Sequence, residues 1–230
     1  MTRSARARPA ATPAGNPGTS RRAQYSASTR RSLVDVAERL FTEHGYAATS
    51  LDAIVAGAEV TKGALYHHYS GKQALFEAVF EKVESAGARQ VQSALNGDGD
   101  PWERAMAGLR AFLDVVRQPS YSRIVIQDGP SVLGHERFRE QEERSTFDYV
   151  LDIVRAVLAA GEWDVDAGME QAFARIFFGA MSSAGAWVST AGDADTEAER
   201  VELAIGFILS GLRALSEQGA ELPDPATYGT

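Results

Sequence analysis

Cysteine is absent from the 230 residues, which excludes disulfides, zinc ribbons and thiol catalysis. No stretch approaches the roughly 20 consecutive apolar residues of a membrane span, and the start has no apolar segment of a secretory signal. Proline is missing between Pro130 and Pro223, so helices can run long there. Acid is missing from the beginning: the first 31 residues hold Arg3, Arg6, Arg8, Arg21, Arg22, Arg30 and Arg31 and no Asp or Glu. Of the 23 basic and 31 acidic residues, 16 and 31 therefore remain downstream, so a segment of +7 precedes a body of −15 in a chain of net −8. Pro9, Pro13 and Pro17 with Gly15 and Gly18 predict an unstructured arm over residues 1–27. Its arginines suit phosphates or a narrow minor groove, a solvated tail being the plain alternative. An acid-free start containing Arg and Ser also resembles a transit peptide, but the prolines spoil an amphipathic helix, so a bacterial cytoplasmic location is expected.

Strand-like alternation is lacking as well, so the expected fold is all-α. There is no G-x-S-x-G, phosphate-binding or dinucleotide motif; no enzyme and no cofactor are expected. The adjacent His67 and His68 project about 100° apart on a helix, unlike a metal-binding i, i+4 pair, and His44 and His135 stand apart, so no metal site is expected.

The informative stretch runs from Thr49 to Lys72, TSLDAIVAGAEVTKGALYHHYSGK. Leu51, Ile54, Val55 and Ala58 fall at i, i+3, i+4 and i+7, one face of a short helix that Thr49 or Ser50 can cap. After a turn, Thr61 can cap a second helix whose Leu65 and Tyr69 face inward. Its other faces carry Lys62, Gly63, Ala64, Tyr66, His67 and His68. A cation, a phenol, two imidazoles and a glycine that allows close approach suit a major groove, where Lys donates to guanine O6 and N7. Before this pair, Leu33, Val36, Ala37, Leu40 and Phe41 form a helical stripe that stops at Gly45. After it, Ser70-Gly71-Lys72-Gln73 has the form of a capping box opening a helix that buries Leu75, Phe76, Val79 and Phe80. That helix start favours phosphate, and Lys72 adds a full charge.

With LVDVAERLFTEHGYAATSLDAIVAGAEVTKGALYHHYSGKQALFEAV in hand, residues from about Thr29 to Val83 resemble the DNA-binding domain of the TetR family of transcriptional regulators. The resemblance places Lys62, Gly63, Ala64, Tyr66, His67 and His68 on the recognition helix and makes Ser50, Tyr66 and Lys72 backbone contacts. It implies double-stranded DNA with a pseudo-palindromic operator, a second copy of the chain and a small-molecule effector as partners. Glu59 departs from the family's usual glycine in the turn; if that turn requires positive φ, glutamate is strained there.

Beyond this module the pattern stays helical, with helices expected over Trp102–Gln118, Tyr121–Gln127, Glu136–Ala160, Val165–Val188 and Thr196–Glu217. The expected organisation is an arm (1–27), a helix-turn-helix domain (28–83), a ligand-binding and dimerisation domain (84–218) and a flexible tail (219–230). FARIFFGAMSSAGAW sets small residues Gly179, Ala180, Ser183 and Ala184 among large ones, and Ile205, Ile208, Leu209, Leu212 and Leu215 form a stripe on the final helix. These resemble the family's four-helix dimer interface. Ligand candidates are the aromatic and sulfur side chains Phe112, Tyr121, Phe147, Phe177, Phe178, Met181 and Trp187, for each of which core packing is the plain alternative, with Gln127 and Asp128 as polar ones, Asp128 being equally a helix cap or turn residue. The functional expectation is a DNA-binding regulator, a repressor released by an effector. The competing one is a helical lipid or small-molecule binder that has lost DNA binding, against which the exposed Lys62, Tyr66, His67 and Lys72 weigh.

Overall fold

The computed structural model describes residues 17–142 and 146–221, and these residues contain helices and no strand. The first helix, α1 (Pro17–Ala48), begins eleven residues earlier than expected, so residues 17–27 of the proposed arm are helical. Proline suits a helix's first turn because its φ is already set and its missing N–H would have had no partner there. Arg3, Arg6 and Arg8 lie outside the described residues, as does most of the expected tail. Near its other end α1 kinks at Gly45, whose φ of 76° and ψ of 169° are open to glycine and costly for other residues.

The stripe on α1 does what its spacing dictates. Leu33, Ala37 and Phe41 are fully buried against Ile54 of α2 (Leu51–Gly57), Leu65 of α3 (Lys62–His68), and Leu75, Phe76, Val79 and Phe80 of α4 (Lys72–Leu95). Phe41 and Phe76 meet edge to face with centroids 5.3 Å apart. The cap of α4 differs from the expected capping box: Gly71 sits at the N-cap with no side-chain cap bond. Gln73 instead donates to the Val132 carbonyl at 3.0 Å, tying α4 to a distant segment.

α4 also crosses the boundary drawn at residue 83, running unbroken to Leu95, so one rigid rod belongs to both halves. α5 (Pro101–Arg117) starts with a true capping box, Asp100 with Glu103, and lies along α4. Gly87 and Gly108 permit that approach: a Cβ on Gly108 would stand 2.3 Å from Leu95 Cδ2, and one on Gly87 2.7 Å from Tyr121. A π-helical segment, Tyr121–Asp128, follows and sends Ile124 and Val125 into the core under α1.

Of the helix expected over Glu136–Ala160, the described parts that follow α6 (Gly129–Leu133) are α7 (His135–Glu142) and α8 (Asp148–Ala160); residues 143–145 lie outside the described residues. Phe138 of α7 packs on Phe80 of the N-terminal core, centroids 5.9 Å apart, whereas Val154 and Leu158 of α8 pack with Ala174 of α9 (Ala167–Thr190). The two pieces serve different cores. α10 (Ala194–Glu217), capped by Asp193, completes the bundle against α5 and α9.

Candidate DNA interface and ligand cavity

Two side-chain caps shape the helix pair. Ser50 Oγ accepts from the Ala53 N–H and Thr61 Oγ1 from the Ala64 N–H, each at 3.1 Å, satisfying donors that a seven-residue helix would otherwise leave open. Ser50 is thus both exposed and committed as a cap. Between the helices Glu59 has φ 53°, so this turn does place glutamate in the left-handed conformation. A non-glycine residue there costs roughly 1–2 kcal/mol, partly offset because its side chain also limits the unfolded chain. Glu59→Gly is therefore expected to stabilise the protein by about 0.5–1 kcal/mol, read as a rise in the midpoint of chemical denaturation; a fall would mean the turn holds glutamate without strain.

Leu65 is fully buried and Tyr69 nearly so, while Lys62, Gly63, Tyr66 and His67 are exposed and Ala64 and His68 half-covered. Tyr66 keeps 57% of its surface open. Only Thr61 Oγ1 comes within 4 Å of a Cβ placed on Gly63, at 3.8 Å, so the backbone is open to close approach. Lys62 pairs with Asp52 of α2 at 2.5 Å, and that hydrogen bond and charge raise the ammonium's pKa above its ordinary value. Both side chains are mostly exposed, so the pair is weak and exchangeable for a nucleic-acid acceptor. His68 is shifted the other way, by partial burial, His67 and Arg30, which favours its neutral imidazole.

Lys72 is placed differently from a free phosphate contact. Its ammonium donates to the carbonyls of Tyr46 at 2.7 Å, Thr49 at 2.8 Å and Ala47 at 3.4 Å, and lies 4.2 Å from the Tyr46 ring centroid. A cation here neutralises the carbonyl end of α1 and pins it to the start of α4. The sequence could not show this, because the three acceptors lie over 20 residues away.

The second site is a cavity of about 160 Å³ among α4, α5, the π-helix, α8, α9 and α10. Of the sequence candidates, Phe112, Tyr121, Phe177, Phe178 and Met181 line it. Four others do not. Phe147 packs edge to face on Phe178 with Arg175 over its ring, and Trp187 is 53% exposed on the bundle's surface. Gln127 donates to Ser122 Oγ and the Ser189 carbonyl. Asp128 accepts from the Tyr46 N–H at 2.8 Å and stands 3.3 Å from Arg123 Nε, at the junction with α1. Residues that sequence reasoning missed include Glu84, Val91, Val150 and Trp163 on the wall. Glu84 is only 5% exposed, and its place one turn after Phe80 on a continuing helix was the available signal. Among the described residues no group of His, Cys, Asp or Glu is arranged to hold a metal, and no helix is long and apolar enough to cross a membrane.

Comparison with known proteins decides the family. Residues 33–79 match the model described as bacterial regulatory proteins, tetR family, and residues 102–212 match tetracyclin repressor-like, C-terminal domain. An uncharacterized HTH-type transcriptional regulator of Pseudomonas putida, TtgW, is 32% identical over 126 residues, covering 50% of this chain and 87% of its own. The chain belongs to the TetR family. The Transposon Tn10 TetC protein of Escherichia coli is 30% identical over 135 residues, 57% of this chain, and the match spans just under two thirds, 64%, of that protein's length. A crystal structure of a TetR-family transcriptional regulator from Pectobacterium atrosepticum superposes with TM-score 0.71 at 28% identity, covering 82% of this chain and 96% of that one. TetR-family proteins are regulators rather than enzymes.

The residues expected at a dimer surface are split between the inside and the outer face of this TetR-family bundle. Ile205, Leu209 and Leu212 turn inward to the cavity wall, and Ala184 packs in the core with Val188 and Val201. Gly179, Ala180 and Ser183 remain outward, flanked on α9 by Ile176, 68% exposed. On α10 the exposed apolar residues are Leu203, Phe207, Ile208 and Leu215, the largest exposure being 81% at Phe207.

Proposed function

We propose that this TetR-family regulator is a repressor that binds a pseudo-palindromic operator as a homodimer and releases it on taking up a small, mostly apolar effector. The observation that carries the reading is α3: a capped helix anchored by buried Leu65, with Lys62, Tyr66 and His67 exposed along one side and Gly63 open to close approach. A helix that only closed a core would have no physical need for that set. Gly63, Ala64 and His68 complete the surface that meets the groove, and Ser50 lies at the edge where a phosphate passes. Lys72 contributes charge near that phosphate while its protons hold the end of α1. A protein with this task works in the bacterial cytoplasm, where the DNA is.

The cavity supports the effector half of the reading. Its wall is almost wholly aliphatic and aromatic, with Glu84 the charged side chain in it. At about 160 Å³ it matches the size of an apolar cavity that accepts one benzene-sized molecule, so the effector has roughly one or two rings unless the helices part.

Selection from random duplex DNA tests operator binding and returns both the half-site and its spacing, expected at one helical turn or a small multiple. Lys62→Ala is expected to cost on the order of 1–3 kcal/mol on the selected operator and much less on scrambled DNA, because a base contact discriminates and a phosphate contact does not. Equal losses on both duplexes would remove Lys62 from base reading.

A further inference from the structure

The N-terminal extension of α1 is not explained by the fold. The buried stripe of α1 begins at Leu33, yet the helix begins sixteen residues earlier, at Pro17. Of residues 24–31 only Thr29 is partly covered, and Tyr25 is 74% exposed. An isolated helix of this length is marginal in water, so such an extension gains from a surface to lie on. Its charge names that surface: between Pro17 and Arg31 it carries Arg21, Arg22, Arg30 and Arg31 and no acid, in a protein otherwise strongly acidic. Its place names it again. Arg30, where the extension meets the domain, donates from Nε to the Tyr69 hydroxyl at 3.2 Å and holds its guanidinium 5.9 Å from that ring, at the C-terminal end of α3. The extension therefore leaves the domain beside the helix that reads DNA.

We propose that residues 17–31 are a helical outrigger that docks on the DNA backbone flanking each half-site, a reading that rests on operator binding through α3. An α-helix with its side chains is roughly 10–12 Å across, wider than a minor groove of about 6 Å. It therefore lies across phosphates rather than inserting between strands, and adds affinity without sequence preference. Thirteen residues from Arg30 back to Pro17 rise roughly 20 Å, so the outrigger covers about six base pairs outside the half-site at about 3.4 Å each.

The test uses the full chain, wild type and the variant Arg21→Gln/Arg22→Gln/Arg31→Gln, which leaves Arg30 on Tyr69 and keeps helix propensity close to that of arginine. Binding is titrated against salt on the selected operator with about eight flanking base pairs and on the same operator trimmed to its half-sites. On the long duplex the variant should bind on the order of tenfold more weakly at low salt, with a salt slope shallower by roughly 0.9 for each phosphate that is no longer neutralised. On the trimmed duplex the two proteins should bind alike. Gln24→Pro retains every arginine but breaks the helix, and should lose the dependence on flanking DNA as well. Equal affinity and slope for wild type and the triple variant on long DNA would overturn the outrigger, as would an undiminished loss on trimmed DNA or wild-type behaviour of Gln24→Pro. Failure of the underlying operator reading is a separate result, wild type showing no preference for selected over scrambled duplex, and it overturns both.

Discussion

Phe207→Asp is expected to turn the protein from dimer to monomer and to lower operator affinity about 100-fold or more. Phe207 is 81% exposed on α10, beside Ile208 and Leu203, and Ile176 is 68% exposed on the neighbouring α9. Large apolar side chains on two adjacent helices form a patch that a monomer would leave in water, and the small residues Gly179, Ala180 and Ser183 between them allow a second copy close. Two-fold symmetry doubles the insult, because each substitution places a carboxylate on both sides of one interface. The affinity loss follows from linkage between half-sites: once one reading helix is bound, the second meets its half-site at high effective concentration, and a monomer forfeits that gain. Sedimentation velocity and operator titration read the two effects separately. The helical signal should be unchanged, since Phe207 supports no core. A variant that sediments as an intact dimer would put the interface on another face.

The site of this substitution is not among the small residues of α9 or the stripe of α10 taken together from the sequence, and the reason shows where sequence stops. Caps and short-range stripes are local, so Thr61, Leu65 and the break at Gly45 could be placed from spacing and hydrogen-bonding capacity, and the first cap narrowed to Thr49 or Ser50. The all-α class followed for the same reason. On α10, however, apolar residues occur on more than one side: Ile205 and Leu209 face the cavity, Phe207 and Ile208 face solvent. Periodicity reports that a face exists but not which neighbour it meets when a helix has two apolar faces. Ala180 and Ala184 illustrate the limit, one outward and one inward although a single turn separates them. The same limit holds over Glu136–Ala160, since Phe138 and Val154 each look core-like and only the packed molecule shows that they join different cores. The roles of Lys72 and Asp128 depend on backbone atoms that are distant in sequence, which no pattern records.

Asp128→Ala is expected to leave the protein able to bind operator and effector separately while removing most of the influence of one on the other. The π-helix that carries Asp128 also carries Tyr121, whose ring lines the cavity, so one short segment touches both sites. At its far end Asp128 takes the Tyr46 N–H at 2.8 Å, and Arg123 crosses the bare Gly45 so closely that a Cβ there would lie 1.8 Å from a guanidinium nitrogen. A displacement of Tyr121 by ligand is thereby delivered to the kinked end of α1, which Lys72 fastens to α4 and α2. Losing the acceptor also leaves a half-buried N–H without its partner, at a cost of about 1–3 kcal/mol in stability, which thermal melting reads. Coupling in such systems is typically about 1–3 kcal/mol, a 5- to 150-fold change in operator affinity, and linkage requires the operator to weaken effector binding by the same factor. Both factors should therefore collapse together in Asp128→Ala to within a few-fold. Gly45→Ala attacks the same junction from the other partner, forcing a Cβ into a positive-φ position and displacing Arg123, and should show the same loss of coupling. If a ligand found by thermal-shift screening still releases operator from both variants with the full wild-type factor, the signal does not pass through this junction. The continuous rod of α4, with Glu84 on the cavity wall and Phe76 in the DNA-side core, would then be the remaining physical link between the two sites.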